Sequence, residues 1–424
     1  MTRKNKIRMT KNRKVLLENF FFLGLLQILR YLIPILVLPY VSRIIGVEHF
    51  GEIAITASAT MIMQYVVDYG YNYIGARDVA KNKTNPAYIS DLYSSITIAR
   101  CLLFVLCIIV VYILTFLIPM LGEVRLLLFI TCPSVLLSVF MPEWLYQGLE
   151  EMKFITIIHV VSRIVYVALI FIFIRESEDY IFYPLVNNIG FLFAGIASFI
   201  ILRRKKIILH LVNWQNLRAI LIKGWDLFIN SICTGLFGQL LNLFIGNFLS
   251  FRDSGIYTSA SRLILAARHG LTIITRVFFP FLAQHINKHK KFFIMNALIG
   301  FSIALFTIIF APFIFRIFYP AEFSEGILIM RTLAVGLFFS SINNSLSSNY
   351  LVLVGKEKFV RNMGFLTLVF GTLIFLLAIH WFGLLGAAIS SVLIIILNTI
   401  AYGAYSYKVK RQMPNENDNI SNKL

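Results

Sequence analysis

The sequence predicts an all-α membrane protein, with about twelve transmembrane helices in two six-helix lobes around a central cavity and both termini in the cytoplasm. Its composition, the spacing of its apolar runs and the distribution of Lys and Arg predict this. Of the 424 residues, 58% are hydrophobic and only 14% charged, and the mean hydropathy is +0.80. A soluble domain is nearer half apolar and a quarter charged. An ordinary cytosolic enzyme, a disordered chain and a secreted disulfide scaffold are therefore excluded.

The elements follow in order along the chain. Residues 1–14 are basic, and the apolar run after them is longer than a signal-peptide core and lacks a small-residue cleavage site, so it reads as a retained first helix. Apolar runs then lie near 18–41, 53–76, 94–118, 124–147, 156–174, 181–202, 224–249, 255–282, 292–316, 327–354, 362–381 and 384–405. Each crosses about 30 Å of hydrocarbon at the helical rise of ~1.5 Å per residue. The pairs 94–118/124–147 and 362–381/384–405 have very short connectors, but each pair is too long for one span. Pro34 and Pro39 let the first helix bend. The cysteines Cys101, Cys107, Cys132 and Cys233 lie in apolar runs without metal-ligand spacing and read as small buried side chains.

The net charge of +19 would suggest nucleic acid in a soluble protein. Here its placement explains it. Counting the N-terminal segment as the first, alternate connectors hold seven, four, one, six, three, three and four Lys and Arg, 28 in all; the intervening ones hold 5. That asymmetry places the termini in the cytoplasm, and Arg203-Arg204-Lys205-Lys206 reads as cytoplasmic anchoring, with no nucleic-acid partner. No loop exceeds about 24 residues, and no P-loop, G-x-S-x-G or His/Cys metal pattern occurs. The chain is expected not to be an enzyme and to need no cofactor or metal.

Two short signatures recur. Gly46-Val47-Glu48-His49-Phe50-Gly51-Glu52-Ile53 matches Ser250-Phe251-Arg252-Asp253-Ser254-Gly255-Ile256-Tyr257 when Gly51 is aligned with Gly255, an offset of 204, and Gly148-Leu149-Glu150-Glu151-Met152-Lys153-Phe154 matches Gly355-Lys356-Glu357-Lys358-Phe359 when Phe154 is aligned with Phe359, an offset of 205. Six spans per half make the repeat parallel, dividing the chain into lobes 1–203 and 204–424, with the substrate site expected between the halves.

Polar residues at membrane depth are costly unless they face water or a partner. The second run carries Thr60, Gln64, Asp68 and Asn72 at i+4 spacing; the seventh carries Asp226, Asn230, Thr234 and Asn242; the tenth carries Ser340, Asn344 and Ser348. Helix packing accounts for such stripes equally well. The eighth repeats Ser261/Arg262, Arg268/His269 and Thr275/Arg276 every seven residues. Arg262 and Arg276 are near enough to the span ends to snorkel, whereas Arg30 and Arg268 lie mid-span and need a cavity or a counter-charge. Arg163 is intermediate, with His159 and Tyr166 on its face; Arg331 is an anchor. Counted from the outer ends of their runs, Arg30 and Asp68 lie eleven and fifteen residues deep, a difference of ~6 Å, so Asp68 is a candidate partner for Arg30. Asp68 and His269 are candidate coupling or gating groups. The excess of deep arginines favours an anion, and guanidinium forks suit phosphate and pyrophosphate. Arg30, Arg163, Arg262, Arg268 and Arg276 are the expected substrate contacts.

The first run opens Asn19-Phe20 and ends Leu38-Pro39-Tyr40-Val41-Ser42-Arg43-Ile44-Ile45-Gly46, followed by Phe50-Gly51; Asp68-Tyr69-Gly70-Tyr71, Gly75-Ala76-Arg77-Asp78-Val79-Ala80 and Gln147-Gly148-Leu149-Glu150-Glu151-Met152 come later. These motifs resemble the Wzx-type flippases of O-antigen and related repeat units, in the superfamily that also holds multidrug exporters and the lipid II flippase. The motifs concentrate in 19–154, while the twelve-span plan covers the whole chain. The resemblance implies a multi-pass protein of the bacterial inner membrane that moves undecaprenyl-pyrophosphate-linked oligosaccharide to the periplasmic leaflet by alternating access. Membrane lipids, protons or another coupling ion, and polysaccharide assembly proteins are the further partners it implies. Lipid II flippases usually carry two extra spans that this chain lacks. One rival is a cation-coupled drug exporter of the same superfamily, which needs uncompensated acidic residues in the first lobe, where only Asp68 qualifies. The other is an O-antigen polymerase, which wants a longer outer loop than 42–52.

Overall fold

The structure is a computed structural model that describes the backbone of residues 3–412 and the side chains of 22–412 apart from 23, 27, 28, 30, 31, 230, 233 and 234. Every regular element among the described residues is helical. The helices are α1 (Arg3–Asp68), α2 (Tyr71–Lys81), α3 (Pro86–Leu117), α4 (Pro119–Glu123), α5 (Arg125–Thr131), α6 (Pro133–Val139), α7 (Glu143–Gly148), α8 (Met152–Phe173), α9 (Phe182–Arg204), α10 (Trp214–Phe248), α11 (Phe251–Gln284), α12 (His289–Phe318), α13 (Gly326–Leu346) and α14 (Glu357–Gln412). Nine helical stretches among the described residues are long and apolar enough to cross a bilayer. All twelve apolar runs of the sequence fall on helix once α1 and α14 are divided at their internal breaks and α10 is added.

Those breaks are glycines. Gly46 sits at φ 75, ψ 176 and Gly383 at φ 55, ψ −138, backbone conformations strained for any residue with a Cβ. At Gly383 the chain reverses. Thr367 Oγ1 donates to Asn398 Oδ1 at 3.0 Å, although a straight helix would hold these residues ~46 Å apart. A Cβ added to Gly371 would lie 3.4 Å from the Ile394 side chain, and one on Gly386 would run into the Ala378 carbonyl. Each pair is centred within one residue of Gly383, so α14 is an antiparallel hairpin of two spans. The 124–147 run is one span made of short pieces. Proline opens α4 and α6, and Pro142 caps α7; a ring without an N–H cannot continue the helix before it.

The chain divides into two compact units, residues 1–236 and 237–424. The boundary falls inside α10 because Leu217, Ile220, Leu227 and Phe228 pack into the first unit's core. That core is built around Tyr71, Ile74, Trp144 and Tyr146, all buried. Its packing explains the glycines of the motifs. A Cβ on Gly75 would strike the Trp144 ring, and one on Gly148 would lie 2.6 Å from Val79 Cβ and 2.7 Å from the Ala76 carbonyl oxygen. The Gly75–Ala80 and Gln147–Met152 motifs therefore pack directly on each other.

In the second unit α13 packs against α11, α12 and α14. Asn296 of α12 donates to the Ser341 carbonyl at 2.9 Å and to Ser345 Oγ at 2.8 Å. Asn349 donates to the Thr275 carbonyl at 3.1 Å, and Tyr257 and Ser391 share a 3.0 Å hydrogen bond. These small polar residues are helix-packing contacts. The two units share a backbone signature at the spacing of the sequence repeat: left-handed φ at Glu150 and Gly355, 205 residues apart.

Candidate functional site

The second apolar run does not continue as one helix. Asp68 ends α1, Tyr69 and Gly70 take φ values of 45° and 75°, and α2 starts at Tyr71. A Cβ on Gly70 would lie 2.5 Å from Leu227 Cβ and 3.3 Å from the Phe228 nitrogen. Glycine is required here both by φ and by the approach of α10. The approach is matched from the other side. A Cβ on Gly224 would come 2.6 Å from the Tyr69 ring, and one on Gly235 would come 2.6 Å from the Tyr65 ring. Gly224, Ser231 and Gly235 follow at i, i+7 and i+11, one face of α10. On that face the glycines make room for the Tyr65 and Tyr69 rings, and Phe228 stacks on Tyr69 at 4.5 Å.

The turn carries a polar network. Gln64, one helical turn before Asp68, donates to Asp68 Oδ1 at 2.9 Å, and Arg100 of α3 donates to the same oxygen at 2.5 Å. Ser138 donates to Gln64 Oε1 at 3.1 Å, extending the chain to α6. Arg100 is 3% exposed, while the Asp68 side chain is 26% exposed. The carboxylate faces a cavity of about 310 Å³ lined also by Tyr65, Gly70, Asn72, Tyr73, Ser231 and Gly235. No Lys or Arg is among these residues.

Further pairs tie the same unit together. Asp78, buried, binds Arg77 at 3.3 Å and pairs with Lys223 of α10. Lys83 pairs with Glu150 at 2.7 Å and Lys205 with Glu151 at 2.6 Å. His159 Nε2 meets Glu143 Oε1 at 2.8 Å. His210 pairs with Asp91 at 2.8 Å, and its backbone N–H donates to Ser94 Oγ at 3.0 Å.

Of the predicted site residues, Asp68 and Arg163 belong to the first unit and Arg262, Arg268, His269 and Arg276 to the second. Arg30's side chain lies outside the described residues, and the counter-charge of Asp68 in the described structure is Arg100. Depth along a helix had suggested Arg30 and had left Arg100 among the loop charges; α3 begins at Pro86 and carries Arg100 into the core. Asn72 lies beyond the break, so it does not share a helix face with Thr60, Gln64 and Asp68. Thr60 is buried and donates to the Thr56 carbonyl at 2.9 Å. Arg163 is half-buried and lies over the Tyr166 ring at 5.5 Å.

On α11 the adjacent pairs split between two faces. Arg268 lies four residues after Ile264 and three before Leu271, both buried, so it is on the packed side. Its Nε is buried and has no hydrogen-bond partner. Arg262, His269 and Arg276, seven residues apart, lie more than a quarter-turn away from the centre of that buried face. Arg276 is exposed, and Arg262 and His269 are half-buried. Of the seventh-run stripe, Asp226 is exposed, Asn242 accepts from Thr258 at 3.0 Å, and Asn230 and Thr234 lie outside the described side chains. Sequence reasoning missed Arg100, Tyr65, Tyr73 and Ser231. The usable signal was the Tyr-Gly-Tyr step after Asp68, a turn sequence inside an apolar run.

Comparison with known proteins agrees with this architecture. A protein of Shigella dysenteriae named "Putative O-antigen transporter" is 26% identical over 393 residues, covering 88% of this chain and 95% of that protein. One of the same name from Escherichia coli K12 is 24% identical over 348 residues, covering 79% and 83%. Among solved structures, the lipid II flippase MurJ in an inward closed conformation superposes with a TM-score of 0.73 at 14% identity, over 92% of this chain and 87% of that one. A multidrug resistance MATE family transporter of the MOP superfamily, inward-facing, gives 0.65 at 16% identity over 92% and 97%. At those identities the likeness is one of fold. Residues 16–286 match the family described as "Polysaccharide biosynthesis protein". With well over half its length inside that match, the chain belongs to the polysaccharide biosynthesis protein family.

Proposed function

We propose that this protein is a flippase for lipid-linked oligosaccharide in a bacterial inner membrane, working by alternating access. The single observation that carries the reading is the near-complete coverage of a protein named as an O-antigen transporter, 95% of its length. An all-helical, membrane-spanning fold of the type seen in MurJ supports it. The cargo is an undecaprenyl-pyrophosphate-linked repeat unit, and the two lobes 1–203 and 204–424 are the halves that move. Arg262, Arg268 and Arg276 of α11, with Arg30 and Arg163 of the first lobe, are assigned to the anionic headgroup. Guanidinium forks bind pyrophosphate with paired donors, and Arg268 holds an N–H in reserve. Asp68 and His269 are the coupling or gating groups, with protons or another ion and the assembly proteins of the polysaccharide as partners. Both termini lie in the cytoplasm, and the protein does no covalent chemistry.

The drug-exporter reading loses its main support. It needs an uncompensated carboxylate in the first lobe, and Asp68 is compensated by Arg100 at 2.5 Å.

Deletion of the gene tests the function. The deleted strain is expected to lose surface polysaccharide and to accumulate lipid-linked oligosaccharide on the cytoplasmic side, both restored by the wild-type gene. A deleted strain with normal surface polysaccharide overturns the reading.

A further inference from the structure

We propose that the cavity between the 65–73 turn and α10 is a carbohydrate-recognition site, which binds a hydroxyl-rich sugar ring of the cargo rather than its pyrophosphate. This rests on the flippase reading and adds a second, separate binding site to it.

The lining argues for a sugar. A pyranose presents hydroxyls around its rim and C–H bonds on its faces, so its site needs hydrogen-bonding groups beside aromatic surface. Asp68 supplies an acceptor, Asn72 a donor and an acceptor, Ser231 a hydroxyl, and Tyr65 and Tyr73 two rings with phenol groups. Both protein donors to Asp68 bind Oδ1.

The charge argues against the alternatives. Among the described residues no Lys or Arg lines the cavity, so a pyrophosphate would meet a carboxylate with no described fork to hold it. A simple organic cation is disfavoured as well, because Arg100 at 2.5 Å balances Asp68. A neutral polyhydroxylated group is left.

Size and rigidity fit the same reading. A volume of about 310 Å³ is at the lower end of small-molecule sites, enough for a sugar ring but not for a repeat unit with its lipid. The walls are preformed. Gly235 fixes the Tyr65 ring, and Gly70 fixes the turn against Leu227. A preformed site does not lose ordering free energy on binding. Tyr73 is 71% exposed, a large aromatic ring that the described fold leaves uncovered.

The test uses the full-length protein in detergent with two probes. One is the lipid-linked oligosaccharide fraction extracted from the host strain deleted for this gene. The other is bare undecaprenyl pyrophosphate. Wild-type protein is expected to bind the oligosaccharide fraction at least tenfold more tightly. Asn72→Ala and Tyr73→Ala alter exposed side chains and leave the fold intact; each should abolish that difference while binding of the bare lipid stays unchanged. Arg268→Ala should weaken both probes by the same factor. Variants that keep the tenfold preference, or that weaken both probes equally, overturn the sugar site and leave the flippase reading standing. Wild-type protein that binds neither probe overturns both.

Discussion

Residues 47–81 and 251–284 are the stretches that the expected repeat aligns at its offset of 204. Under it Gln64 corresponds to Arg268, Asp68 to Thr272 and Asn72 to Arg276. The first version breaks at Tyr69 and Gly70; the second runs unbroken as α11. The break turns Asn72 and Tyr73 back toward the end of α1, closes a cavity, and lets Asp68 meet a buried arginine from α3. The second version stays one unbroken helix over Phe251–Gln284. Its arginines remain distributed along the rod, and Arg268 keeps a buried N–H without a partner. Asp68 in the first version is paired with Arg100, while Thr272 at the matching position of the second donates to the Arg268 carbonyl at 3.0 Å.

The comparison breaks most severely at Asp68. Asp68→Ala leaves the Arg100 guanidinium buried and unpaired, and should cost about 3–5 kcal/mol, read as a loss of folded protein in the membrane and a lower melting temperature in detergent. Adding Arg100→Gln should recover part of that loss. Next comes α10. Gly224→Val drives a side chain into the Tyr69 ring and should cost about 1–3 kcal/mol. By contrast, Gly238→Ala meets nothing within 4 Å and should stabilise the helix by up to about 1 kcal/mol. Arg268→Ala sharpens the contrast with Asp68. It strands no acceptor, so abundance should change by less than about 1 kcal/mol equivalent, while surface polysaccharide in the complemented deletion strain falls sharply. Normal polysaccharide at normal abundance would remove Arg268 from the headgroup assignment. The smallest effect is expected at the exposed Arg252–Glu325 pair, 2.9 Å apart. Arg252→Ala should shift the melting midpoint by no more than about 1 kcal/mol equivalent.

The spans were legible because a bilayer sets helix length and composition so tightly. The split of 362–381 from 384–405 was visible although only Phe382 and Gly383 separate the runs, and Gly383 is where the chain reverses. The breaks inside spans were harder to see. Pro133 and Pro142 were signals, yet apolar content alone runs straight through them. Partners were the least legible. Counting residues along a run gives depth, one coordinate of three; the direction around the helix and the neighbouring helix supply the others. Depth pointed from Asp68 to Arg30 and left Arg100 among the loop charges, and only the packing of α3 brings Arg100 to Asp68. On α11 the one-residue step from Arg268 to His269 turns the side chain by ~100°, enough to move it off the packed face. The sugar-type cavity left no periodic trace, since its lining comes from both sides of a turn and from a helix ~160 residues away in the chain.

The hairpin at Gly383 bears on how the protein enters the bilayer. Alone, the amide of Asn398 would oppose partitioning into hydrocarbon, while the Thr367 hydroxyl already reaches the Met363 carbonyl of its own arm at 2.8 Å. Folded back, the Thr367 hydroxyl also lies within donating distance of Asn398 Oδ1, at 3.0 Å. The two arms of α14 are therefore suited to leave the insertion machinery together, as a ready-made couple in which the amide oxygen of Asn398 already has a donor before any other helix arrives.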